Sequence, residues 1–217
     1  MIGVTKKSLE TRMKLLESGL KLIESGDDKI TVTKLTAKAK VAYGSFYAHF
    51  ANLGAFNYSI LELAVENVTQ NGLLASRKIS SHILKVYASY LIAFISVDNK
   101  NLAKFVINHN QLLTELWFNS ETFVEKWLND AVTLNESTYF SNKNIRHYKE
   151  TRNYFFWIYP KIMDDFINDK DLTKSFLRFM QTVNFLDLPY DLHMEYANRA
   201  IKAVQKDSNL KHLWNKL

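Results

Sequence analysis

TVTKLTAKAKVAYGSFYAHF, residues 31–50, is the stretch on which the fold of this 217-residue chain turns. Leu35 and Ala39 lie four apart and share one face of a short helix over residues 33–39. Lys40, Val41 and Ala42 interrupt that pattern. A second short helix begins at Tyr43, with Phe46 and Phe50 on its inner face. Val32 and Val41 flank the first helix and can plug the space between the two. Thr33, Lys34, Ala42, Tyr43, Gly44, Ser45, Tyr47 and His49 are left facing outward or at the rim. An outer face of small residues, hydroxyls, an imidazole and a lysine suits a helix laid in a DNA groove.

Outward from this stretch, composition fixes the class. The chain is 47% hydrophobic and 13% aromatic, ample for a core, with only two prolines and six glycines. Few breakers and little strand-like alternation predict an all-α protein. With no cysteine, a disulfide framework and a thiolate metal site are excluded, and a reducing compartment is the natural home. Residues 1–7 have no apolar signal region, and no apolar run approaches 18 residues. The expectation is a cytoplasmic protein with no membrane partner. Residues 1–60 hold nine Lys/Arg against five Asp/Glu, four of the chain's net six positive charges. Basic charge is therefore concentrated around residues 31–50, as phosphate attraction requires.

The flanking segments read as helices. Over residues 7–25, Leu9, Met13, Leu16, Leu20 and Ile23 make an amphipathic stripe that would pack on the two short helices. Lys6 and Lys7 at its start are either phosphate contacts or simply solvated. Asn52 suits an N-cap for a helix to about residue 74, with no Pro/Gly/Ser-rich linker before the remainder. Further helices are predicted over residues 79–97, 99–108, 111–118, 121–134, 145–168, 172–186 and 191–206. Pro160 predicts a kink, because it removes one backbone donor.

Residues 31–50 also resemble the helix-turn-helix of the TetR (tetracycline-repressor) family of bacterial transcription regulators. Leu35, Ala39, Val41, Gly44, Phe46, Tyr47, His49 and Phe50 fit that family's pattern, which covers about 50 residues here. Three positions depart from it. Lys40 stands where a turn glycine is usual, Ala42 where a serine caps the second helix, and Leu53 where a phosphate-binding lysine opens the next one. The first two weaken the turn and the cap locally. The resemblance implies an N-terminal three-helix DNA-binding domain, residues 1–51, packed on a helical effector-binding and dimerisation domain, residues 52–217. It also implies a homodimeric repressor on a palindromic double-stranded DNA operator, modulated by a hydrophobic small molecule.

Two residue sets follow for the larger part. Tyr87, Tyr90, Phe94, Phe105, Trp117, Trp127, Tyr154 and Trp157 are either core packing or, taken together, the wall of an apolar effector site. Phe176, Phe179, Met180 and Val183, with Tyr196, Ala200, Ile201 and Val204, are apolar stripes on the last two helices. Such stripes are either intramolecular core or half of a dimer seam, and the resemblance implies the seam. The six histidines are scattered without a ligand pair, and no phosphate loop or nucleophile elbow occurs, so neither enzyme chemistry nor a metal or cofactor is expected. Two alternatives stay open: a small-molecule sequestering protein with a degenerate DNA head, and a helical protein-interaction module.

Overall fold

Residues 6–27, 29–95, 99–109, 111, 122–169 and 171–208 are described by a computed structural model, and all the regular structure among them is helical. In order these helices are α1 (Lys6–Glu24), α2 (Val32–Ala39), α3 (Tyr43–Tyr47), α4 (Leu53–Ser76), α5 (His82–Ile95) and α6 (Lys100–Asn108). After residues 112–121, which lie outside the described ones and take with them all but the first residue of the helix expected over 111–118, come four more. These are α7 (Thr122–Thr133), α8 (Asn142–Asp169), α9 (Leu172–Thr182) and α10 (Tyr190–Lys206).

Side-chain caps set several of the starts. Asn52 Oδ1 accepts from Ala55 N at 2.9 Å to open α4, and Asn99 Oδ1 accepts from Asn101 N and Leu102 N to open α6. At α5 the local cap, Ser81 Oγ accepting from Leu84 N at 3.1 Å, is joined by a group from far along the chain. The Glu136 carboxylate accepts from the backbone N–H groups of His82 and Ile83 and from the Ser81 hydroxyl. A carboxylate at a helix N-terminus satisfies orphan donors and meets the positive end of the helix dipole. Those bonds hold the Glu136 carboxyl below its usual range although partial burial pushes it up.

Twelve of the 14 residues of α5 are buried, so this helix has no solvent face. It packs against α4, α7, α9 and α10. This corrects the assignment of the last two helices. Phe176, Phe179, Met180, Val183, Tyr196, Ala200, Ile201 and Val204 are each at most 9% exposed within the single chain. An all-round apolar α5 needs apolar faces on every side, and α9 and α10 supply two of them. These stripes are the chain's own core, and a second copy has no access to them.

The buried apolar residues fall into two clusters. One joins Leu15, Leu16, Leu22 and Ile23 of α1 to α2, Phe46 and Phe50, and ends with Phe56 and Ile60 of α4. The other begins with Leu61 and Val65 of the same helix and surrounds α5. The division therefore falls inside α4, and Leu102 and Phe105 of α6 pack against both clusters. The buried face of α1 also differs from the expected stripe, since Leu9 and Met13 are exposed. That face is centred on Gly19, where a Cβ would come 2.4 Å from Phe56 Cζ. A glycine that makes room for an aromatic ring is invisible to a count of apolar side chains.

At the other end, α9 stops at Thr182 rather than near residue 186. The connection that follows contains Asp187 at a φ of 49° and is held by Asn144, whose Nδ2 donates to Leu186 O at 2.8 Å. Helix α8 starts at Asn142, three residues earlier than predicted, and continues through Pro160.

Candidate nucleic-acid interface and the adjoining cleft

The corner between α2 and α3 is built by backbone bonds. Thr31 Oγ1 accepts from Lys34 N to start α2, and Lys40 ends it in the left-handed region at φ 55°, ψ 46°. From there Lys40 N donates to Ala37 O at 3.2 Å and Val41 N to Thr36 O at 3.0 Å. A non-glycine in this conformation costs about 1–2 kcal/mol. Ala42, the N-cap of α3, has no side chain able to bond an orphan donor. Helix α3 has only five residues, so tertiary packing must hold it. Its anchor is Phe46, fully buried, with ring centroids 5.4 Å from Phe50 and 5.8 Å from Phe56.

Burying Phe46 turns the rest of α3 outward. Tyr43 and Tyr47 are 54% and 51% exposed, with hydroxyls 3.3 Å apart, and that bond holds the Tyr47 phenol above its ordinary range. Thr33, Lys34, Ala42 and Gly44 are exposed, and Ser45 and His49 are half-buried, so the eight predicted positions lie on or beside one short surface. A Cβ added at Gly44 would meet nothing within 4 Å. Lys34 is not a free cation. Its Nζ binds both oxygens of Asp27, at 2.7 and 2.8 Å, and this holds the Asp27 carboxyl below its usual range.

Arg12, which sequence reasoning left unassigned, ties α1 to this surface. Its guanidinium lies 5.2 Å from the Phe50 ring centroid, and Nη2 donates to Ser59 Oγ at 2.9 Å. Cation–π contact and a shared hydrogen bond make it a positioning residue.

Behind the α2–α3 surface, a cleft of about 560 Å³ separates the N-terminal cluster from α6. Ile23, Ile30, Leu53 and Phe105 give it apolar walls, and Lys29, Lys104 and Asn108 stand exposed at its rim. Its two sides are tied at the edges. Asn99 Nδ2 and Asn101 Nδ2 both donate to Glu24 O, at 3.3 and 3.1 Å. His109 Nδ1 lies 2.8 Å from Phe105 O and so must donate, which leaves Nε2 to accept from Asn57 Nδ2 at 3.3 Å. None of these long-range amide contacts has a sequence period, and no pattern in the chain marks the cleft.

The residues proposed to wall an effector site are dispersed. Tyr87, Tyr90 and Phe94 are fully buried on rings of α9, α10 and Phe185, with Phe185 4.9 Å from Tyr87 and 4.6 Å from Tyr90. Tyr87 O–H donates to His193 Nδ1 at 2.6 Å, and His193 Nε2–H donates to Met180 O at 2.7 Å. Trp127 is buried against Phe123, in α7. One position is corrected, Tyr154, which is 59% exposed; Phe105 lines the cleft beside α1, apart from the others. Trp117 and the side chain of Trp157 lie outside the described residues.

No group of His, Asp or Glu that could hold a metal occurs among the described residues, nor any helix long and apolar enough to cross a membrane. No protein-family model, curated protein or solved structure matches the chain.

Proposed function

We propose that the chain is a TetR-like transcription regulator, a repressor that reads double-stranded DNA with α3. The observation that carries this reading is Gly44. Glycine in a helix costs ~1 kcal/mol against alanine, and nothing among the described residues occupies the space a methyl group would take there. Packing among the described residues gives no reason for a bare backbone here, whereas close approach of bases or phosphates would give one. Tyr43, Ser45 and Gly44 would then face base edges, with Thr33, Tyr47 and His49 toward the backbone. One five-residue helix offers few contacts, so two copies would act about a two-fold axis on a palindromic site. Their seam would use surfaces other than the eight buried side chains of α9 and α10. An apolar effector held among the helices of the larger part would set the spacing of the two reading units.

The test starts from a duplex selected by the protein from a random pool. Gly44→Ala should raise the stability of the fold by ~1 kcal/mol while weakening binding to that duplex. Tyr47→Phe and His49→Ala should weaken binding to all sequences alike. Failure to enrich any duplex, or unchanged affinity in all three variants, overturns the proposal. A monomer by sedimentation at micromolar concentration removes the two-fold arrangement.

A further inference from the structure

We propose that the cleft between the N-terminal cluster and α6 binds a small organic acid: one carboxylate on an apolar, ring-sized body. This is a second ligand site, separate from the apolar effector site proposed above. At about 560 Å³ the cleft lies within the range of small-molecule sites. Its apolar walls come from four separate segments, through Ile23, Ile30, Leu53 and Phe105, which pack on the N-terminal cluster and still leave this volume open beside them. That leaves room for a flat apolar group.

The charge around the cleft selects the other end of the ligand. Lys29 stands on the loop before α2 and Lys104 on α6, so the two ammonium groups belong to opposite walls. Neither forms an ion pair among the described residues, and Asp28 lies outside them. The carboxylate that does line the cleft, Asp27, has both oxygens on Lys34 and a third bond from Lys29 N. It is neutralised within its own wall, and the cleft is left cationic. Asn108 adds an exposed amide on the α6 side. A carboxylate has two oxygens and can take one lysine on each.

The same inventory argues against a phosphate or polyanion. No arginine lines the cleft, and Asn52 and Asn99 already accept from Ala55 N of α4 and from Asn101 N and Leu102 N of α6. The walls are held before any ligand arrives, by the two amide bonds to Glu24 O and by Asn57 on His109. A preorganised site loses little on ordering. Thr31, the cap of α2, also lines the cleft. On the regulator reading, a bound acid would therefore fix the start of α2 against α6, and its coupling to DNA would be reciprocal.

The probe is 2-naphthoate, titrated into the full chain and followed by backbone amide shifts, with 2-naphthamide and acetate as controls lacking the charge or the ring. Saturable shifts are expected at Gly26, Thr31, Leu53, Asn57 and Lys104. Both controls should bind at least about tenfold more weakly: naphthamide loses a hydrogen bond between charged groups, and acetate loses the burial of the ring. Lys104→Gln and Lys29→Gln should each cost about the same factor. Both lysines are exposed, so an unchanged circular dichroism spectrum is expected. The proposal is overturned if naphthoate gives no saturable shift at these residues up to its solubility limit, or if naphthamide binds equally well. It is also overturned if the double lysine variant binds naphthoate unchanged, including the case where that variant loses affinity for DNA of every sequence. The titration contains no DNA, so it stands or falls apart from the regulator reading.

Discussion

The N-terminal cluster and the body around α5 treat their polar groups in opposite ways. Around α5, buried polar atoms are paired inward. Tyr87, His193 and Met180 O form a chain inside the core, Asn144 holds the backbone before α10, and Glu136 caps α5. In the N-terminal cluster, weak points gather within five residues: Lys40 in a left-handed turn, Ala42 without a cap, and Gly44 in a helix with open space beside it. Each is a place where another residue would give more local stability. Departures from local consistency concentrate where a surface is used, and that contrast supports the role proposed for α3.

The contrast is broken most severely at Phe46. Its truncation to alanine should cost about 3–5 kcal/mol, and because α3 has no other deeply buried anchor, the N-terminal cluster should lose protection first. Hydrogen exchange should show α2 and α3 opening while α5 stays protected. Simultaneous loss across both clusters would mean that Leu102 and Phe105 bind them into one cooperative unit.

A smaller effect tests the inward pairing of the body. Tyr87→Phe leaves His193 Nδ1 buried without its donor, which should cost about 1–3 kcal/mol. The same pair predicts a pH dependence. Burial lowers the pKa of His193 from its ordinary 6.5, although the bond to Met180 O works the other way. The unfolded chain therefore takes up a proton first as pH falls. Stability from this group is intact above about 6.5 and is lost progressively as pH drops toward the folded value. Urea midpoints of the parent should fall between pH 7.5 and 5.5, and those of His193→Gln should fall less. Equal declines would assign the effect elsewhere.

The smallest effects sharpen the other side of the comparison. Lys40→Gly relieves the left-handed residue and should stabilise by about 1 kcal/mol. Ala42→Ser supplies the missing cap and should add about 0.5–1 kcal/mol. Thermal unfolding read from α2 and α3 would show both gains. If either variant lost stability, the weak points would not be local ones.

The legible parts of the fold are those written in short periods. Leu35, Ala39, Phe46 and Phe50 are buried as their spacing predicts, and Asn52 and Asn99 cap the helices they precede. What the sequence could not specify is the identity of the partner. An apolar stripe such as Phe179 with Ile201 says that a face is covered, and α5 rather than a second copy covers it. Lys34 reads as a free cation until the turn brings Asp27 beneath it, seven residues back. Arg12 on Phe50, Asn101 on Glu24 and the walls of the cleft join segments too distant for any pattern. Gly19 belongs to the core through what it lacks.

The all-round burial of α5 also has a consequence for synthesis. The N-terminal cluster needs no residue beyond Ile60 apart from the flanking side chains of α6, so it can close early. Helix α5 ends at Ile95, but one of its main partners, α10, begins only at Tyr190. At ribosomal rates of about 5–20 residues per second, that interval lasts roughly 5–20 s. For that time the most apolar helix in the described chain has one side uncovered on the growing polypeptide. The α2–α3 surface can thus be finished before the body around α5, whose apolar centre waits longest for its cover.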